Sequence, residues 1–236
     1  MKALLFDLDG TLIDSMPHHH DAWVAWYARR GLPMNPGEFF ASTAGRTNAE
    51  ILLDLFPAQT VHEHAAMADE KEAIYRDLAR PALALVAGAQ AFAAQARADG
   101  LKLAVCTAST LPNMALAFER HGIDRWVEAI VSPADTMTGP GGGARVRGKP
   151  HPDLFLEAAW RLGVAPADCL VFEDAPLGIE AARRAGMHAV ALTTTLPAAA
   201  FDGYPNLIAI AADFTTLALA ELTTPFSSAP KQESRP

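Results

Sequence analysis

Ala3-Leu4-Leu5-Phe6-Asp7-Leu8-Asp9-Gly10-Thr11 opens with four apolar residues in a row and then breaks on Asp-Leu-Asp-Gly. Four residues are too few for a helix, and the run lacks the polar alternation of a half-exposed strand, so it reads as a buried strand that ends in a turn. Asp7 and Asp9 are two residues apart and leave the pleat on one side. Gly10 permits a sharp turn and Thr11 adds a hydroxyl. In a doubly wound sheet, ligands bind at the carboxyl ends of the strands. Two carboxylates at such an end are therefore either a common Asp/Gly strand-end turn or part of a site.

Short apolar runs recur at Leu101 to Cys106, Ala129 to Val131, Cys169 to Phe172, His188 to Leu192 and Leu207 to Ala211. Between most of them lie helical spacings: Ala89, Phe92, Ala93 and Ala96; Met114, Ala117, Phe118 and His121; Leu154, Ala158 and Leu162. Strands alternating with helices imply an α/β fold, a doubly wound, mostly parallel sheet covered on both faces. Residues 15–82 break the rhythm with successive amphipathic helical stretches. They are expected to form an inserted helical cap on a core made of residues 1–14 and 83–225, with seams at Ile13 to Pro17 and Arg80 to Leu85. Residues 226–236, rich in Ser, Pro and charge, have the composition of a disordered tail.

The chain has 236 residues, 50% apolar and 19% charged, which excludes a mostly disordered protein. Nineteen basic against 27 acidic residues give a formal charge of −8, the wrong sign for a protein held by nucleic-acid phosphates or anionic lipid. No apolar run reaches the roughly 18 residues of a spanning helix, and the first acid comes at Asp7, before a signal-peptide core can form; a soluble, cytoplasmic protein is expected. Cys106 and Cys169 are expected as buried, reduced thiols.

Phe6-Asp7-Leu8-Asp9-Gly10-Thr11-Leu12 resembles the first motif of the haloacid dehalogenase-like superfamily. Three further stretches resemble the other motifs in order: Leu101 to Ser109, a strand ending in the hydroxyl of Thr107; Gly148-Lys149-Pro150-His151-Pro152-Asp153; and Leu170-Val171-Phe172-Glu173-Asp174-Ala175-Pro176-Leu177-Gly178. The resemblance implies a phosphomonoester hydrolase that uses Mg²⁺ and acts on a small phosphorylated metabolite, a sugar, polyol or hydroxy-acid phosphate. It implies Asp7 as the nucleophile that forms an aspartyl-phosphate, and Asp9 as the acid and base. Thr107 and Ser109 would hold the phosphoryl oxygens, with Lys149 neutralising them. The metal would take the carboxylates of Asp7 and Asp174 and the backbone carbonyl of Asp9, with Glu173 beside them either facing the metal's waters or tuning Lys149. The chemistry is coherent, because a carboxylate attacking a phosphate dianion requires concentrated positive charge. Serving as an acid at neutral pH requires Asp9 to have a pKa above the ordinary value near 3.9, a shift that closure of the cap is expected to provide. Dehalogenases of the superfamily lack an aspartate at the position of Asp9, so the implied chemistry is phosphoryl transfer.

Within the superfamily, the stretch from Ser15 to Trp23 resembles the β-phosphoglucomutase-like branch. His19, Ala22, Trp23 and Trp26 share an apolar helical stripe, as do Met67, Lys71, Ile74 and Leu78. His19 reads as a core histidine or a cap residue facing substrate; Lys71 reads as a snorkelling lysine or, by resemblance, a substrate contact. Ala44-Gly45-Arg46-Thr47-Asn48 resembles the branch's specificity loop, with Gly45 allowing close approach and Arg46 or Asn48 reaching the distal end of the substrate; Thr47 and Glu50 also form a helix-start signature. A mutase of this branch is the alternative activity. Such mutases tend to carry Lys-Asn after the second motif, where this chain has Thr110-Leu111. The glycine-rich stretch from Thr138 to Arg147 is expected as a mobile surface loop.

Overall fold

The computed structural model describes residues 1–43, 46–140 and 142–223. Gly45, the middle of the glycine-rich stretch at residue 141 and the expected tail at 226–236 lie outside the described residues. The strands are β1 (Ala3–Phe6), β2 (Ile13–Asp14), β3 (Ala84–Leu85), β4 (Lys102–Cys106), β5 (Ala129–Val131), β6 (Cys169–Glu173), β7 (His188–Leu192) and β8 (Leu207–Ala211). The helices are α1 (Met16–Arg29), α2 (Pro36–Thr43), α3 (Asn48–Leu55), α4 (Val61–Ala79), α5 (Ala89–Ala98), α6 (Leu111–His121), α7 (Asp153–Leu162), α8 (Pro176–Arg184) and α9 (Leu219–Leu222).

Six strands form one sheet in the order β5-β4-β1-β6-β7-β8, and every pairing in it is parallel. β1 is central, with Phe6 beside Val105 on one side and Phe172 on the other. Alternate residues of β1 supply the two faces. Leu4 and Phe6 join Phe92, Phe172 and Phe214, while Ala3 and Leu5 join Phe155, Val171 and Ile179. Two-sided burial is why these strands read as continuous apolar runs. Cys106 and Cys169 are buried free thiols on β4 and β6; burial pushes the Cys169 thiol up to about 12.

The helices α1 to α4 follow one another between β2 and β3. The two seams lie side by side as a short antiparallel ribbon, in which Ile13 pairs with Leu85 and Asp14 with Ala84. Trp23, Trp26, Tyr27 and Tyr75 fill the space between these helices, and apolar contact continues from them into the Leu4–Phe6 face of the sheet. Burying one side chain of that size contributes roughly 1.5–3 kcal/mol. Thr47 and Thr60 cap α3 and α4, each accepting from the amide three residues on, with Glu50 and Glu63 completing both capping boxes.

Two sequence expectations change. Leu78 is 38% exposed, and the buried face of α4, which keeps Lys71 and Ile74 of the expected stripe, extends through His64, Glu72, Tyr75 and Ala79. The segment from Thr138 to Arg147 is tied down where it is described: Thr136 bridges Arg145, the Met137 amide donates to Ala144 O at 2.8 Å, and the buried Glu157 accepts from the Thr138 amide and hydroxyl at 2.9 and 2.6 Å. A buried carboxylate needs donors, and this segment supplies them. No described helix is long and apolar enough to cross a membrane.

Candidate active site

Three neighbouring strands deliver their first residues past the sheet to one place. Asp7 and Asp9 follow β1, Thr107 follows β4, Glu173 ends β6 and Asp174 follows it. Lys149 arrives from the connection between β5 and α7 and forms ion pairs with both Asp7 and Glu173. All these groups line a cavity of about 320 Å³, which the helical segment closes with His19, Trp23, Asn48, Lys71 and Glu72.

Gly10 allows the turn after β1. Its φ is +76°, and a Cβ there would overlap the Asp174 carboxylate. Gly178 does the same for Glu173, whose carboxylate occupies the space a Cβ would fill. The Asp174 carboxylate accepts from the hydroxyls of Thr195 and, at 3.3 Å, Thr11. Glu173 Oε2 accepts the amides of Asp174 and Ala175, each at 3.2 Å. The Thr107 hydroxyl oxygen accepts the Ser109 amide at 3.0 Å, which settles the turn after β4.

Crowding of acids dominates the electrostatics. Burial, with Glu173 adding to it, pushes the Asp174 carboxyl up to about 7. Burial raises Asp7 well above the ordinary carboxylate value against the opposing pull of Lys149. For Lys149, burial disfavours the charge, but Asp7 and Glu173 outweigh it and hold the ammonium above its usual value. One oxygen each from Asp7, Glu173 and Asp174 lies within 4.8 Å of the others, an all-oxygen, anionic set of the kind that suits a hard divalent cation. The side chain of Asp9 is outside that group.

Asp9 departs from expectation. Burial pushes its carboxyl up, but His19 and neighbouring hydroxyls outweigh burial and leave it below the ordinary value. The reason is geometric. The Lys71 ammonium lies 2.7 Å from His19 Nδ1 and donates to it, so a neutral His19 carries its proton on Nε2, which lies 3.7 Å from Asp9 Oδ1. The His19 ring is stacked on Tyr75 at 3.8 Å. The helical segment thus sets an imidazole beside Asp9, at ion-pair and not hydrogen-bond distance.

Lys71 does not snorkel. It is 2% exposed, and its ammonium donates to Glu72 Oε1 at 2.9 Å as well as to His19. Arg46 lines the cavity but is engaged by Asp54 at 2.6 Å and by Glu50 O at 3.2 Å. Asn48 lies in the wall, its amide donating to Glu72 Oε1 at 2.6 Å. Ser109 lines the cavity beside Thr107. Sequence reasoning missed Glu72, Asn113 and Thr195. Glu72 had a signal in its place beside Lys71 on the buried flank of α4; Asn113 and Thr195 had none, because only the fold brings them here.

The family model for haloacid dehalogenase-like hydrolases matches residues 1–186. The chain is similar to validoxylamine A 7'-phosphate phosphatase of Streptomyces hygroscopicus subsp. limoneus, 33% identical over 82% of this chain and 86% of the relative. It is also similar to hexitol phosphatase A of Escherichia coli (strain K12), 35% identical over 81% and 82%. Among solved structures, a HAD hydrolase, family IA, variant 3, from Entamoeba histolytica HM-1:IMSS superposes with a TM-score of 0.83 at 25% identity, covering 95% of this chain and 98% of that one. The three strand-end motifs, the lysine motif before α7, the sheet order and these relatives agree: the chain belongs to the haloacid dehalogenase-like hydrolase family.

Proposed function

We propose that the protein is a Mg²⁺-dependent phosphomonoesterase that hydrolyses a small sugar or polyol phosphate through an aspartyl-phosphate on Asp7. The observation that carries the reading is Lys149 held between Asp7 and Glu173 at the floor of the cavity, next to a second aspartate that the cation does not touch. The paired acids then have separate tasks.

Mg²⁺ fits the donor set. The Asp7, Glu173 and Asp174 carboxylates are buried together with one lysine between them, and the Asp174 carboxyl, raised first by burial and then by Glu173, carries a charge that a divalent ion would stabilise. Bound there, the ion would supply Lewis-acid stabilisation of phosphoryl oxygens. The chain's own residues do the rest. Lys149 orients Asp7 and neutralises the incoming phosphate, while Thr107 and the turn at Ser109 supply donors to it. An Asp7 oxygen attacks phosphorus, the ester P–O bond breaks, and the leaving alkoxide takes a proton from the Asp9 carboxyl. A water molecule then gives its proton to the Asp9 carboxylate as it attacks phosphorus, which breaks the acyl-phosphate bond, restores Asp7 and releases inorganic phosphate. In the absence of substrate His19 keeps Asp9 ionised; a phosphate dianion docked beside Asp9 acts in the opposite direction and favours the protonated carboxyl that the first step requires.

The mutase alternative requires a grip on a second phosphate after the second motif. Thr110 precedes α6 there and Leu111 is 60% exposed, so neither position offers a charge, which supports hydrolysis. The test is phosphate release from a panel of sugar, polyol and hydroxy-acid phosphates, with Mg²⁺ and with chelator, using Asp7→Asn as the blank. Metal-dependent release from a few related compounds is the expected result. No release, together with isomerisation of a hexose 1-phosphate that needs a bisphosphate primer, would replace the phosphatase with the mutase.

A further inference from the structure

Glu72 is a buried carboxylate that lines the cavity, and the steps above give it no task. It joins both parts of the molecule. Its Oε1 accepts from Lys71 on its own helix and from Asn48 at the start of α3, and its Oε2 accepts from Asn113 Nδ2 on α6 at 2.6 Å. Asn113 in turn accepts from Arg76 at 3.0 Å. A carboxylate has about four lone-pair sites, and three are taken. One on Oε2 remains, and Asn48 keeps its carbonyl oxygen and one amide proton. An acceptor and a donor–acceptor pair, held side by side at the cavity wall, match adjacent hydroxyl groups.

Charge points the same way. Among the described residues that line the cavity, Lys71 is paired with Glu72, Arg46 with Asp54, and Lys149 with Asp7 and Glu173, while the His20 ring lies against Phe40 at 3.8 Å. A substrate phosphate is met by Lys149. A second phosphate or a carboxylate at the other end of the same molecule would find no uncommitted lysine or arginine and would face the Glu72 carboxylate in a poorly solvated place, where like charges repel strongly.

We propose that Glu72, with Asn48, is the specificity-determining pair of this site: it accepts and donates hydrogen bonds to neighbouring hydroxyls of a substrate that carries one phosphate and excludes substrates with a second anionic group. The cavity, about 320 Å³, is at the small end of the range for small-molecule sites and suits a body of sugar size. The proposal rests on the phosphatase reading and narrows it, since hydroxy-acid phosphates and bisphosphates fall outside.

The test measures kcat/KM, by phosphate release with Mg²⁺, for sorbitol 6-phosphate, fructose 1,6-bisphosphate, 3-phosphoglycerate and phenyl phosphate with the wild type, Glu72→Gln and Asn48→Ala. The wild type should favour sorbitol 6-phosphate over both competitors that carry a second anionic group by tenfold or more. Each variant should lower the ratio of sorbitol 6-phosphate to phenyl phosphate at least fivefold, chiefly through KM, and Glu72→Gln should narrow the gap to the bisphosphate. Asn48→Ala removes no buried charge and decides the matter if Glu72→Gln does not fold. Unchanged ratios in the folded variants, or a wild type that prefers the bisphosphate or the phosphoglycerate, would overturn the specificity proposal alone. A wild type that releases phosphate from none of the four, phenyl phosphate included, would overturn the phosphatase reading and this proposal with it.

Discussion

The Lys149 ammonium donates a hydrogen bond to the Asp7 carboxylate across 142 positions of sequence, and the same ammonium is ion-paired with Glu173. One cation thereby links the loop after β1, the end of β6 and the connection before α7. With Asp7 held in this way and assigned as nucleophile, Asp7→Asn should lower kcat by roughly a thousandfold or more while the far-ultraviolet circular dichroism and melting temperature stay at or above those of the wild type. Retained turnover in the folded variant would contradict the assignment.

Lys71 and Glu72 form a buried pair, so removing one partner strands the other. Lys71→Met should cost about 3–5 kcal/mol in urea denaturation, and the double variant Lys71→Met/Glu72→Gln should recover a substantial part of that loss. Strictly additive effects would mean that the two side chains do not depend on each other.

Gly178 has no room for a methyl group because the Glu173 carboxylate already fills that space. Gly178→Ala should destabilise by about 1–3 kcal/mol through overpacking and should lower kcat, since Glu173 cannot shift without loosening Lys149. Gly148→Ala, with nothing within 4 Å of its added carbon, is the stability control and should change the midpoint far less.

Burial and Glu173 push the Asp174 carboxyl up to about 7 in the fold, from an ordinary value of 3.8. A carboxyl with a higher pKa folded than unfolded binds its proton more tightly in the native state, so it lowers stability as pH rises from about 4 to about 7, and the full cost remains above that. In chelator, Asp174→Asn should melt close to the wild type near pH 4 and distinctly above it at pH 8. Added Mg²⁺ should raise the melting temperature of the wild type at pH 8 and that of Asp174→Asn much less. A difference that does not vary with pH would show that the Asp174 charge is not strained in the metal-free fold.

Much of this was legible in local pattern. The buried strands announce themselves because both faces of the sheet are covered, which leaves apolar runs such as Leu4 to Phe6 and Val171 to Phe172 unbroken. Asp7 and Asp9 are legible because they come just after an apolar strand, so chain connectivity carries them to its end, while Glu173 and Asp174 were marked by motif resemblance. The Thr47 capping box was likewise visible, since its partners are three residues apart.

The cap side chains were harder to read because helical periodicity gives a stripe and not a partner. His19 and Lys71 showed as polar intrusions on apolar faces, with structural and functional readings both open; only the packing of α4 against α1 brings them to 2.7 Å. Glu72 was hidden for the same reason, since its partners Asn48 and Asn113 are 24 and 41 residues away. The direction of the Asp9 pKa could not be read from sequence, because it depends on which of two opposing effects, burial or the nearby His19, is larger at one set of distances.

By itself, then, the sequence determined the α/β class and the alternation of its longer strands with helices, because periodicity and turn residues are local, and motif resemblance marked the strand-end acids and Lys149. Tertiary structure alone decided that Lys149 reaches both Asp7 and Glu173, that Lys71 is paired instead of snorkelling, and that Glu72 faces the cavity, because each of these is a contact between segments far apart in the chain.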